Sequence, residues 1–215
     1  MAVTAIVTVI AAYSIGSINF AVIFAKAFLK KDVRELGSGN AGATNVLRSA
    51  GLVPGILTFV FDALKGFAAS YMGKIVFDYI FTNYASDWAM PIFGAYLCGT
   101  ACMLGHIFPF FFDFKGGKGV ATSVGIFAVC CPIAIISGLI VFTLVTIFSK
   151  YVSLGSVIAT LVVVILSIIF YDRTAVLLPQ LFLALAMGVI VIVKHKENIK
   201  RLIAGNESKI KIGRN

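Results

Sequence analysis

Residues 154–171 run for eighteen positions without a charged side chain, from Leu154 through Tyr171. A chain with one such stretch can place it in a bilayer or bury it in a large core. Crossing the hydrocarbon takes about 20 apolar residues. This chain has several such stretches, at approximately 2–25, 53–74, 88–105, 119–131, 133–149, 154–171 and 175–193. With 60% hydrophobic and 13% charged residues among 215, it has too little polar surface for a soluble domain. The class is an all-α, polytopic integral membrane protein. With no solenoid-like period and no long linker, residues 1–215 read as a single membrane domain. The first 25 residues lack a basic start and a small-residue cleavage site, so they read as a retained span.

The segment 119–149 admits one long tilted helix or two short ones. Charge placement decides between them, because basic loops stay cytoplasmic. Lys115 and Lys118 precede the segment and Lys150 follows it. One crossing would put these sites on opposite sides of the membrane. Two helices broken at Cys131-Pro132 return the chain to the same side, and proline removes a helix hydrogen bond. About seven spans, with the N-terminus outside and the C-terminus cytoplasmic, then put fifteen of the 18 basic residues inside. Asp78, Asp87 and Asp172 stay in the outside loops with Lys74 and Arg173. The net charge of +9 flanks spans and forms no single face, which argues against nucleic-acid binding. Cys98, Cys102, Cys130 and Cys131 lie in apolar stretches and read as buried thiols. No metal and no cofactor are expected.

Four polar islands share the cytoplasmic side in this topology. The first runs from Gly37 to Arg48. Ser38, Asn40, Thr44 and Asn45 offer neutral hydrogen-bonding groups, and Arg48 offers a planar fork that matches phosphate. The second is Lys115-Gly116-Gly117-Lys118-Gly119, followed at once by a helix-compatible run. Glycines admit close backbone approach, and a helix N-terminus adds free N–H donors and a positive dipole end. This loop reads as a phosphate cradle. It is no nucleotide-hydrolysing P-loop, which needs Gly-x-x-x-x-Gly-Lys-Ser/Thr after a strand. The third island, Lys150 to Ser156, is weaker, because Ser156 can bond back to its own helix. The fourth follows the last span at Lys194-His195-Lys196-Glu197-Asn198. His195, among cations that oppose its protonation, would stay neutral and available as an acceptor. Within the spans, Asp62 and Lys65 are three apart and read as a structural ion pair. His106, seven residues before Asp113, also reads as structural.

These four islands resemble the bacterial membrane glycerol-3-phosphate acyltransferases that use acyl phosphate as donor. The likeness runs from end to end, over Gly37–Arg48, Lys115–Thr122, Tyr151–Ser156 and His195–Ile199. It departs only in small points, such as lysines 194 and 196 where arginines often flank the histidine. The resemblance implies transfer of a fatty acyl group to the 1-hydroxyl of glycerol 3-phosphate, giving lysophosphatidic acid and phosphate. It implies an inner-membrane enzyme of phospholipid synthesis, with its active site facing the cytoplasm; a monomer is the expected working unit. Ser38, Arg48 and His195 are the implied catalytic residues. Asn40, Thr44, Asn45, Lys115, Gly116, Gly117, Lys118, Gly119, Ser153, Ser156, Glu197 and Asn198 are the implied substrate contacts. Its partners would be glycerol 3-phosphate, acyl phosphate and membrane lipids. Acyl phosphate is already activated, so a protein nucleophile is unnecessary; none of the four islands carries a cysteine, and the sequence has no Gly-x-Ser-x-Gly elbow. The alternative class is a phosphate-selective transporter or lipid-headgroup-binding protein. A transporter of that kind would carry paired broken helices, and only one break is visible.

Overall fold

The computed structural model describes residues 1–170 and 177–210. Asp172 and Arg173, placed in an outside loop above, and Lys211 and Arg214 of the basic tail lie outside the described residues. The described chain is helical: α1 (Ala2–Gly16), α2 (Phe20–Leu29), α3 (Ala43–Ala50), α4 (Leu52–Tyr84), α5 (Pro91–Ile107), α6 (Val120–Cys130), α7 (Pro132–Ser149), α8 (Val152–Ile169), α9 (Leu177–Lys194) and α10 (Lys196–Ile203). Five candidate spans are long and apolar enough to cross a membrane, with α1 and α2 counted as one. A sixth joins them if α9 and α10, bent by 53° at His195, count as one.

α4 is the axis of the bundle, packed against α1, α3, α5 and α6. At 33 residues it is about 50 Å long. It runs ten residues past the expected end at 74, so Lys74 and Asp78 are exposed on its last turns and not in a loop. Small residues let its neighbours come close. A Cβ on Gly125 of α6 would lie 1.8 Å from Ala63 O, and one on Gly66 of α4 would lie 2.2 Å from Thr122 O. Close backbone approach of this kind is how helices associate where the surroundings are as apolar as their side chains. Bulky residues such as Ile136, Ile140, Leu144 and Phe148 face outward along α7, as expected for a lipid-facing stripe.

The expected break at Cys131-Pro132 separates α6 from α7, with proline at the first position of α7. A second break was not foreseen. The run 2–25, read as one span, is interrupted between α1 and α2 at residues 17–19. The physical reason is local. Asn19 caps α2 through Oδ1, which accepts from Val22 N at 3.2 Å. The break frees the Ile18 carbonyl in apolar surroundings, where an unpaired acceptor is costly. Lys65 Nζ donates to it at 2.7 Å. The same ammonium pairs with Asp62 Oδ1 at 2.8 Å, one helical turn back on α4. The expected ion pair is therefore present, and it also closes a gap in the first span.

Candidate active site

One end of the bundle holds a cavity of about 520 Å³, within the usual range for small-molecule sites. Its walls come from elements far apart in sequence. The loop before α3 supplies Ser38 and Asn40, and α3 supplies Thr44 and Arg48. Lys118 and Gly119 enter from the glycine loop. Ser153 and Ser156 stand on the first turns of α8, and His195 and Asn198 come from the α9–α10 bend. These residues, separated by up to 160 positions, line one space.

Three helices start at this cavity. Gly42, Ala43 and Thr44 open α3; Gly119, Val120 and Ala121 open α6; Val152 and Ser153 open α8. All of these residues line the wall. None of the three starts has a side-chain cap. Free N–H groups and three positive dipole ends therefore converge on one volume, an arrangement that favours an anion. The sequence pointed to this device only at the glycine loop.

The loop that carries Ser38 is held by Asn45. Its Oδ1 accepts from Ser38 N at 3.1 Å, and its Nδ2 is within hydrogen-bonding distance of the carbonyls of Val33, Leu36 and Asn40. Gly37 and Gly39 have φ of +54° and +71°, the left-handed region where glycine is favoured. Ser38 is thus pinned by its backbone at the cavity wall. Asn45, expected to contact substrate, lines the cavity while both ends of its amide hold the loop.

Three expectations are corrected. Lys115 is exposed and does not line the cavity. Gly116 and Gly117 do not line it either, because their N–H groups donate to Ile107 O at 3.2 Å and His106 O at 3.1 Å. Those amides dock the loop onto the end of α5 and are not free to cradle phosphate. Glu197 faces solvent and pairs with Lys200 at 3.3 Å.

The sequence reading missed the tail. Glu207 is buried beside the cavity and accepts from Ser153 Oγ at 3.0 Å, Asn198 Nδ2 at 2.8 Å and Arg201 Nε at 2.8 Å. Arg48 donates to Ser208 O at 2.8 Å, and Ile210 N to Lys150 O at 2.8 Å. Residues 207–210 therefore form a strap across α3, α8 and α10. A lone acid in a basic tail was the available signal. Asp62 and His106, read as purely structural, also line the cavity.

Burial, which alone would raise the Glu207 carboxyl, is outweighed by hydrogen bonds from Asn198, Arg201 and Ser153, which hold it below the usual range. Burial lowers Lys118 to about 8, helped by Arg201, Arg48 and Lys194 and opposed by Glu207. Its ammonium donates to Asn198 Oδ1. His195, just past the last residue of α9, is lowered to about 4, first by burial and then by Lys118. Its Nδ1 lies 2.8 Å from Val191 O, and a carbonyl only accepts, so Nδ1 carries the proton and Nε2 the free lone pair. The imidazole is neutral at pH 7 but weakly basic.

The cavity opens into a narrow apolar groove of about 80 Å³ between α6, α7, α8 and α9. Phe59, Val120, Phe142 and Ser156 line both spaces. Val124, Phe127, Ala159, Val163 and Met187 continue the groove inward.

The family model described as glycerol-3-phosphate acyltransferase matches residues 6–205. The chain belongs to the glycerol-3-phosphate acyltransferase family. It is 42% identical over 205 residues to glycerol-3-phosphate acyltransferase 2 of Bacillus anthracis, covering 95% of this chain and 98% of that one. The acyltransferase of Finegoldia magna is 40% identical, with 94% and 93% covered. The acyltransferase described here also resembles two crystal structures of PlsY, an integral membrane glycerol 3-phosphate acyltransferase. One is the glycerol 3-phosphate form, with a TM-score of 0.80, 36% identity and 96% of each chain covered. The other is the lysophosphatidic acid form, with a TM-score of 0.77, 36% identity, and 96% and 95% covered.

The Lys118 ammonium is the form that attracts phosphate. Its value near 8 means that kcat/KM for a phosphate substrate falls as pH rises through about 8. In Lys118→Arg, whose guanidinium stays charged, that fall moves beyond about pH 10. Initial rates between pH 6 and 10 measure both.

Proposed function

We propose that this acyltransferase moves a fatty acyl group from acyl phosphate to the 1-hydroxyl of glycerol 3-phosphate. The products are lysophosphatidic acid and inorganic phosphate, and the reaction opens phospholipid synthesis at the cytoplasmic face of a bacterial inner membrane. The observation that carries this reading is the junction of two unlike spaces: a cationic cavity rimmed by helix N-termini, continuous with an apolar groove. A molecule with a phosphate head and an acyl tail suits that junction. The solved relative is described in forms with glycerol 3-phosphate and with lysophosphatidic acid, a substrate and a product of this reaction.

The hydroxyl oxygen attacks the acyl carbonyl, the bond from carbonyl carbon to phosphate oxygen breaks, and the proton passes to a phosphate oxygen of the donor. Arg48, Lys118 and the helix starts offset the charge of two phosphates, which is electrostatic preorganisation of the ordinary kind. Ser38 and His195 Nε2 orient the attacking hydroxyl, with Thr44, Asn40, Ser153, Ser156, Asn198 and Gly119 shaping the pocket. A base with a pKa near 4 is poorly matched to neutral pH, so His195 serves as orienter.

We infer seven crossings: α1 with α2, then α4, α5, α6, α7, α8 and α9. The N-terminus is outside and the C-terminus cytoplasmic, which keeps the cavity and its cations on the cytoplasmic side. The whole forms one membrane domain. The working unit in this reading is a monomer.

Three outcomes follow. Purified protein in detergent releases phosphate from acyl phosphate only when glycerol 3-phosphate is present, and acyl-CoA gives no transfer; release without the acceptor would sink the reading. His195→Gln lowers kcat less than about tenfold, whereas loss of an essential base costs about 10²–10⁴-fold. Ala159→Phe, which fills the groove, lowers kcat/KM for long-chain donors about tenfold and spares short ones, as a donor series with stepped chain length shows.

A further inference from the structure

Glycines 116 and 117 are small for a reason other than phosphate. A Cβ on Gly116 would lie 2.0 Å from His106 O. One on Gly117 would lie 2.2 Å from His106 Nε2 and 2.7 Å from Ala41 O. Gly117 is thus wedged between the imidazole and the loop that carries Ser38. His106 meets the glycine loop through both its carbonyl, which accepts from Gly117 N at 3.1 Å, and its ring, and Gly117 in turn abuts Ala41 of the Ser38 loop. The ring is fixed from behind. It is 4% exposed, and its Nδ1 faces Asp62 Oδ1 at 3.5 Å, longer than an ordinary hydrogen bond. Asp62 is held in turn by Lys65 at 2.8 Å, and Lys65 by Ile18 O at 2.7 Å. Lys118 follows in the glycine loop, one residue beyond the wedge.

We infer that His106, braced by the Asp62–Lys65 pair, is a positioning residue that sets the glycine loop and so fixes Lys118 in the anion cavity. A core histidine of no consequence would pack against side chains. This one packs against backbone that leads directly to a charged group of the site. The inference rests on the acyl-transfer reading above. The wild-type assay separates the two, because wild-type protein without glycerol 3-phosphate-dependent phosphate release would sink that reading first.

The test uses His106→Leu, which keeps bulk and removes the polar contact with Asp62, and His106→Gln, which keeps a polar group. The readout is the pH dependence of amine labelling at Lys118, followed by peptide mass spectrometry in detergent-solubilised protein. The groups that bear on Lys118 are Arg48 on α3, Lys194 and His195 at the α9–α10 bend, Arg201 on α10 and Glu207 in the tail. None of them is altered. Loosening the loop exposes Lys118, so its labelling midpoint moves upward by about one pH unit in His106→Leu, a tenfold change. It moves by less than half of that in His106→Gln. The KM for glycerol 3-phosphate or acyl phosphate rises about fivefold, with kcat changed less than about twofold. Should His106→Leu fail to fold, Gly117→Ala presses on the wedge from the other side and gives the same upward shift. Labelling midpoints and KM values that match wild type, in whichever variant folds, overturn the inference.

Discussion

A lysine amine inside the bundle ties its parts together. Lys65 neutralises Asp62 at 2.8 Å and satisfies the Ile18 carbonyl at 2.7 Å. Either group alone would be an expensive presence among apolar helices. Together they turn an interrupted first span into a joint. That joint lets α2 leave the line of α1, and α2 packs with Val33, Ala41 and Val46 to support the loop that carries Ser38. Asp62 also faces His106, which touches the glycine loop. Removing one partner of such a pair leaves an uncompensated buried charge, a larger loss than never having had the pair.

The site manages charge by adjacency. Arg48, Lys118 and Arg201 line a space that also holds the Glu207 carboxylate. The carboxylate is satisfied by Ser153, Asn198 and Arg201, so it steadies the wall that would otherwise be a cluster of repelling cations. Helix starts contribute attraction without adding any ionised group at all. This division suits a site that must hold phosphate and then release it.

Much of the fold was legible because hydrocarbon imposes long apolar runs and leaves charge in the breaks. The Cys131-Pro132 break, the Asp62–Lys65 pair and the helical class follow from that rule. The interruption at residues 17–19 did not, because Ser17, Ile18 and Asn19 carry no charge and their partner is 47 residues from Ile18. The residues that line the cavity were legible as islands of unusual composition. What composition could not reveal is direction. Asn45 and Gly116–Gly117 look like ligands for phosphate, yet their hydrogen bonds are spent on the protein's own backbone. Glu207 was overlooked for the opposite reason, since one acid in a basic tail acquires meaning only when the tail folds back.

α6 is 11 residues long, about 16 Å, and thus covers only about half of a 30 Å hydrocarbon layer. Its N-terminal end borders the ionic cavity while Val124 and Phe127, one and two turns along, border the greasy groove. The two reactants therefore arrive in spaces of different dimension. The water-soluble one searches a volume, and the tailed one searches a plane. In the reaction proposed above, turnover then depends on the donor's mole fraction in the bilayer, not on its amount per litre, and dilution by other lipids acts as an inhibitor would.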